Sequence, residues 1–145
     1  MVEFRPWLHL RQAQKRKEET DFSDLLPWVE SKTIKAGNTI FKFPSSKALE
    51  AEGLKILNAI KPEEDEGGGI RRSCVTSFES LKLTVEYVEK QLQNAKYFAE
   101  NGPEAVSEES VINARSALER ARFIAEMIRL RFDKWIKQLA AEKKG

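Results

Sequence analysis

Aromatic and basic side chains interleave through the first 47 residues of the chain. Phe4, Trp7, Phe22, Trp28, Phe41 and Phe43 alternate with Arg5, Arg11, Lys15, Arg16, Lys17, Lys32, Lys35, Lys42 and Lys47. Residues 31–47 hold four lysines and no acid. A single strand of nucleic acid is held by this combination. Bases stack on aromatic faces, worth about 1–3 kcal/mol each, while Lys and Arg follow the phosphates. Trp7, Trp28, Phe41 and Phe43 are therefore the stacking candidates. Arg5, Arg11, Lys32, Lys35 and Lys42 are the phosphate candidates. A competing reading places the aromatics in the core of a small domain and the bases on its wet rim.

The other reactive residue types point away from catalysis. His9 is the only histidine and Cys74 the only cysteine, and they lie in different segments. One Cys and one His cannot make a zinc site. GGGIRRS, residues 67–73, follows an acidic run and lacks the Lys-Ser/Thr that ends a phosphate loop. No spacing isolates a catalytic pair of carboxylates. The chain is expected not to be an enzyme, and to need no cofactor and no metal.

Composition narrows the class. The net charge is +2, so the total does not announce nucleic acid; its distribution says more, with an acid-free stretch over 31–47 and a base-free one over 62–69. The charged fraction of 33% is rich in Lys and Glu, a balance common in thermophile proteins. No run approaches the roughly 20 apolar residues of a transmembrane helix. The N-terminus MVEFRPWLHLRQAQ has no signal-peptide core. A lone cysteine fits a reducing compartment, and a cytoplasmic location is expected.

These candidates need elements to position them. The stretch after Pro6 is expected to form a short helix ending near Thr20, and Pro27 to break any helix around it. SKTIKAGNTIFKFP, residues 31–44, reads as a β-hairpin turning at Ala36-Gly37-Asn38. Ile40 and Lys42 should point one way, and Thr39, Phe41 and Phe43 the other. Ser45 or Ser46 should cap a helix running to about Lys61, in which Gly53 costs roughly 1 kcal/mol unless a close contact needs it. PEEDEGGG, residues 62–69, reads as a flexible linker whose acids are dispensable for folding.

Two apolar ladders follow. Phe78, Leu81, Val85, Val88, Leu92, Ala95 and Ala99 form the first; Val111, Ala114, Leu118, Ala121, Ala125, Ile128, Phe132, Trp135 and Leu139 form the second. Steps of three and four make the seam of a coiled coil. One helix should start near Thr76 and stop at Asn101-Gly102-Pro103, and the second should run unbroken from Ser107 almost to the C-terminus. Phe123, Ile124, Met127, Leu130 and Ile136 lie beside the second ladder, more than one partner helix can cover. The expected fold is α+β, mostly α: an N-terminal unit over 1–61, a linker over 62–75, and an antiparallel helical hairpin over 76–145. Residues 76–143 should join chains into a homodimer or homotetramer. Leu92 and Leu118 are the expected interchain seam.

This organisation is similar to that of the ThermoDBP-type single-stranded DNA-binding proteins of thermophilic archaea. FRPWL near the start, NTIFKFPSS in the strand, and the seamed helices from Phe78 to Leu139 carry the resemblance. It implies non-sequence-specific binding of single strands on a surface built by oligomerisation, without a cofactor. It assigns no site residue. A different class remains open: a coiled-coil adaptor or small structural subunit of a larger complex, with no nucleic-acid binding of its own.

Overall fold

The computed structural model describes residues 18–144, and side chains from 20 to 143. The helix expected after Pro6 lies mostly outside them. Its last residues instead form a strand, β1 (Glu18–Asp21), followed by β2 (Ser31–Ala36) and β3 (Thr39–Pro44). Four helices follow: α1 (Ser46–Ala59), α2 (Gly69–Asn101), α3 (Glu104–Arg131) and α4 (Asp133–Lys144). The fold is α+β and mostly helical, with a small sheet followed by long helices.

The hairpin forms where its sequence asks for it. Gly37 takes the turn at φ 61°. β2 and β3 pair antiparallel, with Thr33 opposite Lys42 and Ile34 opposite Phe41. β1 adds a third strand parallel to β3, giving the order β1-β3-β2. Four polar residues, EETD, carry no alternating apolar signal, so this strand depends on the unpaired edge of β3 for its existence. Between β1 and β2, Phe22, Leu25, Leu26 and Val29 are buried and anchor an irregular crossing.

Ser45 caps α1, its Oγ accepting the Ala48 N–H at 3.1 Å. Gly53 lies where α1 crosses α2. A Cβ there would stand 2.9 Å from Phe78 Cγ, so the contact demands glycine.

Residues 62–68 differ from the expected linker. They form two short 3-10 turns, 62–64 and 66–68, and α2 starts at Gly69 rather than near Thr76. Buried Asp65 accepts the N–H groups of Ile70 at 2.8 Å and Arg71 at 3.0 Å. Those are first-turn donors with no partner inside the helix, so a carboxylate there starts α2 early. Glu64 accepts the Lys61 N–H at 3.1 Å, pairs with Lys134, and takes the Trp135 Nε1–H at 3.4 Å. An acid that looks solvated in sequence thus ties the segment to α4.

The Lys134 ammonium, then the Lys61 N–H, hold the Glu64 carboxyl down at about 2, against an ordinary 4.5. A depressed carboxylate stabilises the fold above its unfolded value and stops doing so as pH falls through its folded value. The melting-temperature gap between wild type and Glu64→Ala should therefore narrow between about pH 4.5 and pH 2. A gap independent of pH over that window would show that the contact does not titrate with folding.

α2 and α3 form the antiparallel hairpin, about 50 Å long for the 33 residues of α2. Ser107 Oγ donates to the Ala95 carbonyl, Asn113 Nδ2 to Gln91, and Arg131 to Ser73 Oγ, which fixes the antiparallel sense. Only Gly102 and Pro103 separate the helices, since the second starts at Glu104 rather than at the expected Ser107. Leu81, Val85, Val88 and Leu92 from α2, and Ala114, Leu118, Ala121 and Ala125 from α3, are fully buried in one chain. The expected single second helix is broken at Phe132, where φ is −110° and ψ 18°. Beyond the break α4 carries Trp135 to Glu64 and packs beside α1.

One apolar core runs from Phe22 and Phe41 through Ile56 and Cys74 to Ile128 and Trp135. Among the described residues this one core lies on both sides of residues 62–75. Cys74 is buried, with its Sγ 3.9 Å from the Gly53 carbonyl, and desolvation pushes the thiol up to about 11. Among the described residues, no helix is long and apolar enough to cross a membrane.

Candidate nucleic-acid interface

The sheet divides the sequence candidates between its two faces. Strand neighbours share a face, and alternate residues reverse it. Phe41 and Phe43 face the helices and are 0% exposed. This corrects their assignment as stacking residues, since a base cannot reach a ring enclosed on every side. The competing reading, aromatics as core, holds for both. Phe22 joins them, 3% exposed.

Lys35 and Lys42 occupy the opposite, solvent face, and both are exposed. Thr33 and Ile40 complete that face, because Thr33 pairs with Lys42 and Lys35 with Ile40. Asp21 of β1 stands beside Lys42. Hydrogen bonds from Ser23 hold the Asp21 carboxyl below its ordinary value, with a smaller contribution from Lys42. It therefore stays charged and offsets part of the local positive field. Lys47, at the start of α1, is exposed as well.

Lys32 follows the other side of β2. Its Nζ lies 2.9 Å from Glu89 Oε2 on α2, with the side chain 39% exposed. The ion pair directs its ammonium toward α2. Arg5, Trp7 and Arg11 lie outside the described residues.

Trp28 is half-buried and lines a cleft of about 330 Å³ between α1 and α4. Ile136, Leu139 and Ala140 form its apolar wall, and Glu52, Lys55, Glu142 and Lys143 form its polar rim. Of the described stacking candidates, only Trp28 keeps accessible ring. Its neighbours Lys55 and Lys143 escape a sequence reading, because they meet Trp28 only when α4 docks on α1.

The arginines at 115, 122 and 129 are not a free basic face. They recur every seven residues on α3 and grip the chain around the end of β1. Arg115 NH2 lies 3.4 Å from Thr20 Oγ1, and its guanidinium 5.9 Å from the Phe41 ring centre. Arg122 sits 4.5 Å over the Phe22 ring and 3.3 Å from Asp24. Arg129 donates to the carbonyls of Asp24 and Leu25 at 2.8 and 2.7 Å. Arg72 turns back onto the carbonyls of Gly67 and Gly68.

Among the described residues, no cluster of three or more His, Cys, Asp or Glu side chains could hold a metal ion. No known protein family, curated protein or solved structure matches the chain.

Proposed function

We propose that the protein binds single-stranded DNA without strong sequence preference, acting as an oligomer and not as an enzyme. One observation carries the reading. Three of the four lysines in the acid-free stretch 31–47 stand exposed, and two of them, Lys35 and Lys42, share the solvent face of the hairpin. Phosphates are followed there, and Trp28 supplies a ring for stacking at the α1–α4 cleft. The resemblance to the ThermoDBP-type proteins supports the same reading. Oligomerisation would multiply weak contacts, since a second contact on one body becomes intramolecular, at an effective concentration that can reach the mM range.

Titration with a 20–30-nucleotide oligomer tests it, with tryptophan emission as readout and RNA of the same sequence as a second arm. Emission should fall, and affinity should weaken as salt rises. Changing Lys35 and Lys42 to Gln together should lower the magnitude of the log–log salt slope by about 1.4, the value for two contacts on a single strand. No salt-sensitive binding to either oligomer would refute the reading. The full chain is the right material, because one apolar core joins described residues on both sides of 62–75.

The second reading is a helical adaptor or small structural subunit of a larger complex. It is favoured by the exposed apolar residues Leu83 and Tyr87 on α2 and Ile112, Phe123 and Leu130 on α3. Co-purification with one stoichiometric protein, together with no oligonucleotide binding, would decide for it.

A further inference from the structure

The face of α3 that carries Arg115, Arg122 and Arg129 is occupied over only part of its length. The chain from Thr20 to Leu25 runs along it in the direction of the helix. Thr20 lies at Arg115, Asp24 at Arg122, and the Asp24 and Leu25 carbonyls at Arg129. With about 100° of turn per residue, Glu108 and Glu104 fall within roughly 20° of Arg115 around the helix. The same face therefore continues toward the start of α3 with the opposite charge. We propose that the basic segment Lys15-Arg16-Lys17, just ahead of β1, docks on this end of the face, with the Arg16 guanidinium between Glu104 and Glu108. The contact lies within one chain and goes beyond the proposed function.

The path of β1 selects the occupant. An extended chain rises about 3.3 Å per residue and a helix about 1.5 Å. Counted back from Thr20 at Arg115, Arg16 comes level with about Val106, midway between Glu104 and Glu108. Alternate residues of an extended chain share a side. Arg16 thus takes the side of Thr20, which faces α3, and Lys15 and Lys17 take the other.

The order of charge agrees on both partners. Residues 11–17 hold Arg11, Lys15, Arg16 and Lys17 and no acid; residues 18–24 hold Glu18, Glu19, Asp21 and Asp24 and no base. Residues 104–114 of α3 hold Glu104, Glu108 and Glu109 and no base, and the three arginines follow. Glu119 and Glu126 stand among those arginines, Glu119 pairing with Arg122. Glu104 and Glu108 are exposed, and neither is in an ion pair among the described residues. Two carboxylates four residues apart on a helix repel. The helix dipole favours Glu104 but fades within the first turn, so it gives no account of Glu108. A guanidinium fork between the two offsets the repulsion. An anionic partner must displace both carboxylates to take Arg16, so the contact withholds part of the basic charge ahead of β1.

The test uses the full chain without nucleic acid. Equal parts of ordinary and isotopically heavy Arg16→Lys protein are treated with a zero-length carbodiimide, which joins an amine to a carboxylate only where the two touch. Mass spectrometry should find residue 16 joined to Glu104 or Glu108, in peptides wholly light or wholly heavy. Trypsin gives a second readout on the natural residue 16. Glu104→Gln/Glu108→Gln should speed cleavage after residues 15–17 about five-fold, the scale of exposed ion pairs, with helical circular dichroism unchanged. Added salt should speed that cleavage more in the wild type than in the variant. Residue 16 joined elsewhere or to nothing, mixed light–heavy peptides, or equal cleavage rates in wild type and variant would each overturn the proposal. Failure to bind oligonucleotides would overturn the proposed function and leave these results standing.

Discussion

Leu92→Asp is expected to unfold the chain, not merely to separate subunits. Leu92 is 0% exposed within α2, against the small-residue face of α3. Truncating a buried leucine to alanine already costs about 2–5 kcal/mol. A buried, unpaired carboxylate adds a desolvation penalty of several kcal/mol. The sum is comparable to the roughly 5–15 kcal/mol that holds a domain folded. Circular dichroism should show lost helicity at 25 °C and no cooperative melt. Phe123→Asp, on the exposed side of α3, should leave the fold intact, since exposed positions usually move stability by within about 0.5 kcal/mol. A Leu92→Asp chain that kept its melting temperature and only lost mass would mean that the seam closes between chains.

Gly53 should show the second largest effect. Replacing glycine inside a helix ordinarily stabilises it, by about 1 kcal/mol for alanine. Here the new Cβ would stand 2.9 and 3.0 Å from Phe78 Cγ and Cβ. Those atoms sit next to the α2 backbone and cannot swing away as the end of a long side chain would. Gly53→Val should therefore cost about 3 kcal/mol by overpacking, which lowers the melting temperature by roughly 6–12 °C. Gly53→Ala should still be destabilising, by less. A more stable Ala variant would mean that α1 slides over Phe78 without loss.

The hairpin, α1 and the paired long helices are legible in the chain because their signals are local. Gly37 supplies the turn, Ser45 the cap, and Gly102-Pro103 the stop. Steps of three and four draw the buried face of α2 from Phe78 to Ala95, while Ala99, near the hairpin end, is exposed. Alternation along β3 also separates Phe41 and Phe43 from Lys42, one face from the other. None of these features needs knowledge of what lies across the molecule.

What the sequence could not say is which face meets the rest of the protein. The aromatic–basic pattern before residue 48 is the same whether Phe41 and Phe43 face solvent or helices. Only the docking of the sheet on α2 and α3, clamped by Arg115, Arg122 and Arg129, turns those rings inward and leaves Lys35 and Lys42 outside. β1 exists because β3 offers it an edge. Glu64 and Asp65 read as solvated linker because their partners, Lys134 and Trp135 and the first N–H groups of α2, are set by chain path and not by composition. Local propensity and periodicity settled the elements by themselves. Contacts between residues far apart in the chain settled which side chains remain available for binding, because burial belongs to the packed whole and not to any segment of it.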